Sequence, residues 1–562
     1  MYRANVEIFY HKMSSTQGVI TVSDLVVDTM PKVASSVKQS LSEITIGANY
    51  QLTLHDIHSL AVQGARVSLS ADAHAAMDRS HQLLQSSVDK RIPIYGINTH
   101  FGDQVSLFDA NMKNPDRDAY YESITARQVN LIKSHSCGLG DVVKPDIVRI
   151  AMLLRTHCLS QGYSGVAPTT IETLINFLNS GITPIVRQYG SVGASGDLIP
   201  LAMIAAGVIG EDVDVLYQGE IMRAPVALEK AGLKKLKPQL RDGLAMINGT
   251  SFMTAIASHS LYKLQRLFNQ MLFAIGMTLE SMMVITSAYH PLVHELKRQT
   301  GEMSVNSFLL NFWQGSQLLS DLDELRSASV QDCASGLKPV QDYYSLRSVC
   351  QGFGTFHENL ERATEWVERE MNSVNDNPIV DVAENKIYHN ANFMGYYITE
   401  ACDILKMDIA QASSWIHALL AILVHPRKNN NLPANLVTEP GSQNGFRPLQ
   451  LLMASLAVQN RKLAQAHQAY MLPTEGDNQD VNSLGTHAAF DFQQSVANLE
   501  RITAILFLAA AQALEFRGIE KASKNAQAIC KVIRTTSPKI ADCRPLTEDL
   551  SAVIQLLDEE KI

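Results

Sequence analysis

Six stretches of this chain carry apolar residues at i, i+3 and i+4 over many turns: 252–285, 306–325, 355–372, 396–423, 449–471 and 492–516. That period lays the apolar side chains along one face of an α-helix. Six long stripes can leave water only by packing against one another, which predicts a bundle of long central helices. Strand-like alternation is confined to short pieces, so the predicted fold class is mainly α. Shorter helical patterns occupy 53–89, 120–136 and 145–178, with Gly181 as a C-terminal cap after the last. Between the first two, RIPIYGINTHFGDQ is broken by Pro93, Gly96 and Gly102 and reads as an extended piece running into a loop. The polar, basic string KAGLKKLKPQLRD at 230–242 reads as a linker. It suggests a mixed, polar N-terminal extension (1–45), an N-terminal domain (46–240), the bundle (241–530) and a C-terminal tail (531–562).

The 47 basic and 56 acidic residues leave a net charge of −9 without blocks of like charge. That argues against nucleic acid or an anionic membrane as a partner. The apolar run 502–514 is shorter than the ~20 residues a bilayer span needs. Seven cysteines, odd in number and without CxxC spacing, suggest neither a disulfide framework nor a zinc site. With no signal-peptide pattern at the start, the expected compartment is the reducing cytoplasm.

Residues 190–200 read GSVGASGDLIP. Asp197 fits the N-cap of the helix that follows, and Pro200 suits its first turn. In a tight bend the amide nitrogen of Gly196 can approach the carbonyl carbon of Ala194. Ring closure with loss of two waters, one taking the Ser195 hydroxyl, leaves a methylidene-imidazolone, a strong electrophile. Glycine blocks nothing on the approach, alanine is small, and serine has a hydroxyl to lose. A helix starting at Asp197 adds partial positive charge beside the ring. The plain alternative is a tight loop entering a buried helix, and the tripeptide alone does not exclude it.

Polar groups collect in the other loops too. Tyr95 in PIYGINTHFG is a candidate base, provided its surroundings lower a phenol pKa of about 10. Asn248 precedes a long helix in GLAMINGTS. On helical spacing Gln341, Tyr344 and Arg347 of QDYYSLR share one face, and Arg347 suits a carboxylate. NSVNDNP gathers Asn372, Asn375, Asp376 and Asn377 at a turn, and HNANFMG places Asn392 and Phe393 in a loop. TEGDNQD, with Glu475, Asn478 and Gln479, is acidic but lacks the glycine a calcium loop has at position six, so no metal is expected. Singly, each has a structural reading: a core tyrosine, cap asparagines, a surface arginine, a solvated acid.

Taken in order along 54–518, these strings, with NNLP and NQDVNSLG, resemble the motifs of the aromatic amino acid ammonia-lyase and aminomutase family, its bacterial members above all. The resemblance implies a fumarase/ammonia-lyase-like helical homotetramer whose active sites draw loops from three subunits. It implies a prosthetic methylidene-imidazolone self-made from Ala194, Ser195 and Gly196, with no external cofactor or metal. Carried over by position, Tyr95 would remove the β-proton and Asn248 would flank the prosthetic group. Arg347 and Asn377 would bind the carboxylate, with Gln341 and the catalytic Tyr344 nearby. Leu244 and Phe393 would line the pocket, and Glu475, Asn478 and Gln479 would surround the amine and the electrophile. His135 would meet the far end of the substrate ring and hydrogen-bond a phenol or an imidazole.

The implied activity is loss of ammonia from an aromatic L-amino acid to give an arylacrylate, with tyrosine ahead of histidine and phenylalanine. An aminomutase making a β-amino acid is the alternative, with a non-catalytic scaffold behind it. Departures from the family pattern are His100 and Asn390 for glycines, Ser348 and Cys350 after Arg347, KRQTGE at 297–302, and Arg447. The Gly-Ser-Ser-x-Met-Pro string of fumarase-type lyases is absent.

Overall fold

The computed structural model describes residues 43–105, 116–321 and 340–562, so the extension expected at 1–45 falls almost wholly outside the described residues. The first part of the chain carries α1 (Leu54–Gln63), α2 (Ala71–Asp89), α3 (Arg117–His135), α4 (Pro145–Ser160), α5 (Pro168–Asn179), α6 (Leu198–Val208) and α7 (Ala224–Lys230). Next, α8 (Asp242–Ile247) leads into α9 (Ser251–Ser281), followed by α10 (Pro291–Lys297) and α11 (Thr300–Phe312). From residue 340 onward come α12 (Tyr344–Arg347), α13 (Val349–Met371), α14 (Tyr396–Leu423), α15 (Arg447–Leu463), α16 (Gly485–Arg517), α17 (Lys524–Thr536) and α18 (Thr547–Asp558).

The fold is mainly α, and its centre is α16. Helices α9 and α14 pack along it, α4 and α13 lie against α9, and α15 closes on α14 and α16. Small side chains allow the close approach: Ala504, Ala509, Ala510, Ala511 and Ala513 of α16 are fully buried. Helix α9 buries side chains all round its axis over most of its length, as a core helix must. One contiguous apolar core runs from Ile44 to Ile562, on both sides of the irregular segment 231–241.

Short strands decorate the edges. The parallel pair is β1 (Glu43–Ile46) with β2 (Arg66–Leu69). Antiparallel pairs join β3 (Leu139–Val142) to β5 (Arg187–Tyr189), β4 (Thr183–Pro184) to β6 (Asp214–Tyr217), and β6 to β7 (Glu220–Arg223). The hairpin β8 (Ile379–Asp381) and β9 (Lys386–Tyr388) pairs Ile379 with Tyr388.

The 53–89 and 145–178 patterns, each of two helical strings, form two helices each, and two of the long stretches shorten. The 53–89 pattern is two helices, because Gly64 caps α1 in the left-handed region and β2 intervenes. The 145–178 pattern breaks between α4 and α5, where Gly162 and Gly165 are left-handed. Gly181 sits one residue beyond Ser180, the C-cap of α5, with φ +84°. Helix α15 stops at Leu463 instead of 471, since Lys406 of α14 donates to Gln465 O (3.0 Å) and the His467 N–H to Asp403 (2.8 Å). Of the 306–325 stretch, α11 ends at Phe312 and the final residues lie outside the described ones.

Candidate active site

The loop 191–197 is pinned by the starts of two central helices. Gly196 is left-handed (φ +67°), and a Cβ there would lie 2.1 Å from Gly249 O, so only glycine fits. The Asp197 N–H donates to Gly249 O (2.8 Å) and Asn248 Nδ2 to Ser195 O (2.9 Å), tying the loop to the entrance of α9. From the entrance of α16, the Ser483 and Leu484 N–H groups donate to Gly193 O (3.2 Å) and Val192 O (3.0 Å). Ala194 and Gly196 are buried while Ser195 is half open, its Oγ accepting from Gln479 Nε2 at 3.1 Å. Asn248 Oδ1 is buried without a partner among the described residues. A bent backbone, a glycine with no room for a side chain and a reachable serine hydroxyl fit the precursor of the self-made ring.

Asp197 stands at the N-cap position of α6, yet its carboxylate caps no N–H of that helix. It accepts instead from Met253 N (2.8 Å), in the first turn of α9, and from the Ser191 (2.8 Å) and Thr486 hydroxyls. The expected capping of α6 is therefore corrected: a fully buried carboxylate is held by donors from three segments, and it helps cap α9. Burial pushes its pKa up to about 6, against the lowering by those donors. Glu370, which accepts from Thr250 Oγ1, is pushed up to about 7, chiefly by burial and further by the Asp197 charge.

Tyr95 lies in the loop expected to carry it. Its Oη accepts from Gly102 N (3.1 Å), its own N–H donates to His389 Nε2 (3.1 Å), and Gln128 Nε2 donates to Gly96 O (2.6 Å). A Cβ on Gly102 would sit 2.5 Å from Glu475 Oε2, and one on Gly96 would sit 2.3 Å from Leu244 Cδ2. The acid and the apolar wall therefore flank the phenol. The surroundings do not lower its pKa: burial pushes the phenol up, the Gly102 N–H opposes this, and Glu475 raises it further. Desolvation disfavours the phenolate, so the condition set for Tyr95 as a base, surroundings that lower its pKa, is not supplied by this chain's own residues.

Glu475 and Asp477 are left-handed, in a turn closed by backbone bonds between Thr474 and Gln479 (3.0 and 3.2 Å). Gln479 Nε2 reaches Glu475 Oε2 (2.9 Å) as well as Ser195, while Asn478 is exposed. Asn377 Oδ1 accepts from Asn390 N (2.9 Å), which brings the Phe393 loop alongside. His135 ends α3, which packs on both α6 and α8. Its Nδ1 is 2.9 Å from Leu131 O, so that nitrogen carries the proton and Nε2 is an acceptor.

Gln341, Tyr344 and Arg347 are elsewhere. The Asp342 carboxylate accepts from Ile285 N (2.7 Å) and Leu346 O from Tyr289 Oη, so this segment sits beyond the C-terminal end of α9. The tripeptide touches the other end of that helix. Thirty-one residues of α9 span ~46 Å, and the 23 of α13, which lead from Arg347 back to Asn372, span ~35 Å. The shared helical face is also corrected: α12 begins at Tyr344 and leaves Gln341 in an irregular segment, because the contact of Asp342 with Ile285 holds the chain away from a helix. Arg347 instead lies over the Tyr344 ring, 4.6 Å from its centroid, and Tyr344 is 76% exposed.

Residues 52–535 match the family model described as aromatic amino acid lyase. This chain belongs to the aromatic amino acid lyase family. A histidine ammonia-lyase of Symbiobacterium thermophilum is 33% identical over 517 residues, covering 92% of this chain and 97% of the relative. A tyrosine 2,3-aminomutase of Chondromyces crocatus is 33% identical over 512 residues, covering 90% and 93%. The solved structure of Pantoea agglomerans phenylalanine aminomutase superposes with a TM-score of 0.85 at 28% identity, covering 92% of this chain and 99% of that one.

Sequence reasoning noted Asp376 only as part of the NSVNDNP turn and missed the other supports of this lyase-family site: Gln128, Arg155, Arg241 and His389. Asp376 is fully buried and accepts from Arg241 Nη1 (2.6 Å) and Nη2 (2.9 Å), with Arg155 Nη2 at 3.2 Å. Arg241 also donates to Asn377 O (2.8 Å) and Arg155 to Asn375 Oδ1 (3.0 Å). The available signal was Arg155, one cation inside the apolar string AMLLRTHCL, since a buried arginine needs a partner. Among the described residues no cluster of side chains could hold a metal, and no helix is long and apolar enough to cross a membrane.

Proposed function

We propose that this family member removes ammonia from an aromatic L-amino acid, tyrosine before histidine and phenylalanine. On this reading it is a cytoplasmic homotetramer with shared active sites. The observation that carries the reading is the pinned tripeptide with Asn248, Gln479, Tyr95 and Glu475 converging on it. A methylidene-imidazolone formed from Ala194, Ser195 and Gly196 would make the substrate amine a good leaving group. Asn248 and Gln479 hold Ser195 from two sides, and Glu475 is placed to accept the substrate ammonium.

Tyr95 takes the β-proton. Its phenol is protonated in the free chain, so it needs positive charge close by. The substrate ammonium beside Glu475 is one source; Arg347 of a partner subunit, binding the carboxylate with Asn377, is the other. The distance from Arg347 to the tripeptide within one chain, together with the exposure of Tyr344, supports sites completed by other copies. Leu244 and Phe393 line the apolar part of the pocket. His135 Nε2, as an acceptor, faces the distal donor of the ring: a phenol hydroxyl or an imidazole N–H.

The resemblance favours tyrosine over histidine, because the acid at Glu475 stands earlier in its loop than the acid typical of histidine enzymes. A second reading, an aminomutase that returns ammonia to the β-carbon, is favoured by the aminomutases among the relatives. Incubation with L-tyrosine, L-histidine and L-phenylalanine, following arylacrylate, ammonia and β-amino acid, separates the readings. Equal arylacrylate and ammonia from tyrosine support the lyase, a dominant β-amino acid supports the mutase, and no turnover of any removes both.

Two further outcomes are expected. His135→Phe should shift the ratio of kcat/KM from tyrosine towards phenylalanine by about tenfold or more, because the acceptor for the distal donor is gone. An unchanged ratio would take His135 out of specificity. Ser195→Ala and Arg347→Ala, each inactive alone, should regain about a quarter of wild-type activity when co-assembled, as random pairing in a tetramer rebuilds that share of sites. No recovery would place each site within one chain.

A further inference from the structure

We infer that His389 is a positioning residue, holding the Tyr95 loop as a neutral imidazole and releasing it on protonation. The inference rests on the proposed role of Tyr95 only for its effect on turnover; the clamp itself is a matter of backbone geometry. Most polar atoms of the turn are satisfied internally. Ile94 N donates to Asn98 Oδ1 (2.7 Å) and Gly96 N to Thr99 Oγ1 (3.1 Å). Three side chains fasten the turn to the rest of the molecule: Gln128 on Gly96 O, Arg127 on Ile97 O (3.4 Å) and Thr99 O (3.1 Å), and His389 on Tyr95 N, the one backbone amide of the turn among them. Gln128 is fully buried and cannot titrate. His389 is exposed and can.

The contact dictates the protonation state. The Tyr95 amide is a donor, so Nε2 must present its lone pair at 3.1 Å. A proton on Nε2 would set two N–H groups against each other and remove the bond. Although the residue is exposed overall, partial desolvation of the ring keeps the imidazole below its ordinary range, which favours the clamped form at neutral pH. On the adjoining hairpin Lys386 and Glu384 pair with each other at 3.7 Å, while Glu475 and Asp103 lie beside Gly102 and Gly476 across the Tyr95 loop. None of these shifts His389.

The position of His389 gives the clamp a second hold. It directly follows β9, and the next residue, Asn390, donates its N–H to Asn377 Oδ1 (2.9 Å). One short piece of backbone therefore fixes the Tyr95 loop and the Asn377 side chain together. Since the folded imidazole is held low, the clamp is present above its pKa and lost as pH falls through it, below about 6.5.

Amide exchange of peptides covering 91–104, corrected for the intrinsic pH dependence, tests this in the full-length protein between about pH 7.5 and pH 5. Wild type should lose protection on acidification. His389→Leu should be unprotected at both pH values, with kcat about tenfold lower. His389→Gln, whose amide oxygen accepts without titrating, should restore protection at both and move the acid limb of kcat to lower pH. Protection in His389→Leu equal to wild type at both pH values, or no change with pH in wild type, would overturn the inference. If the loop responds as stated while turnover does not, the clamp stands and Tyr95 is not the base.

Discussion

Ser195→Ala should abolish ammonia release, by about a thousandfold or more, while leaving the fold intact. The hydroxyl is the one atom of the tripeptide whose removal prevents the exocyclic methylene from forming. Its structural role is small: Ser195 is half open, and its Oγ has a single side-chain partner, Gln479 Nε2. That nitrogen keeps Glu475 Oε2 as an acceptor at 2.9 Å, so no buried donor is stranded. The stability change should stay within about 1 kcal/mol. Intact-mass measurement provides the internal control. Wild-type chain should be lighter than its sequence by two waters, and the variant should match its sequence. A wild-type chain with no such deficit would remove the prosthetic group from the proposal.

Asp376→Asn should be the most destabilising single change near the site. Burial pushes this carboxyl up, but the Arg241 guanidinium, hydrogen-bonded to both its oxygens, and then Arg155 outweigh that and hold it below its ordinary range. Asn preserves the shape and removes the charge, leaving two buried guanidinium groups without a counter-ion. Breaking a buried pair from one side costs about 3–5 kcal/mol. Arg241→Lys should cost less, since it keeps the charge and loses only the fork. Half-lives of thermal inactivation and soluble yield give the order, and a loss below about 1 kcal/mol for Asp376→Asn would refute this account. The sign with pH follows: a depressed carboxyl stabilises the fold above its unfolded pKa of about 3.9, and that contribution disappears as pH falls through the folded value.

The bundle was legible because helical periodicity is written residue by residue. The 396–423 stretch coincides with α14, Tyr396–Leu423. Boundaries failed where a distant group captured the backbone, as Lys406 and Asp403 do beyond Leu463. Part of the candidate site was legible as strings, since the Ala194–Gly196 tripeptide, Asn248 and Gln479 do meet. Spacing held for Tyr344 and Arg347, which share α12 and touch, and misled for Gln341, because Asp342 is engaged by Ile285, 57 residues away. Asp197 caps a helix that begins beyond Gly249, not its own. Tyr95 is raised and not lowered, since desolvation depends on what covers a side chain. Gln128 and His389 act on backbone atoms of remote residues and leave no pattern along the chain.

Helices α9 and α13 also have a consequence for what this scaffold tolerates. On the shared-site reading, the tripeptide of one copy meets Arg347 of another, and the rods between them act as rulers. Each residue inserted into such a rod advances its far end by about 1.5 Å and turns it by about 100°. One insertion would therefore misalign the electrophile and the carboxylate clamp at every site of the assembly, with no contact in the pocket altered. Length along the rods is as fixed as the identity of the tripeptide. On the same reading, diversification of substrate is left to short segments off the rods: the loops of Tyr95 and Glu475 and the end of α3 at His135.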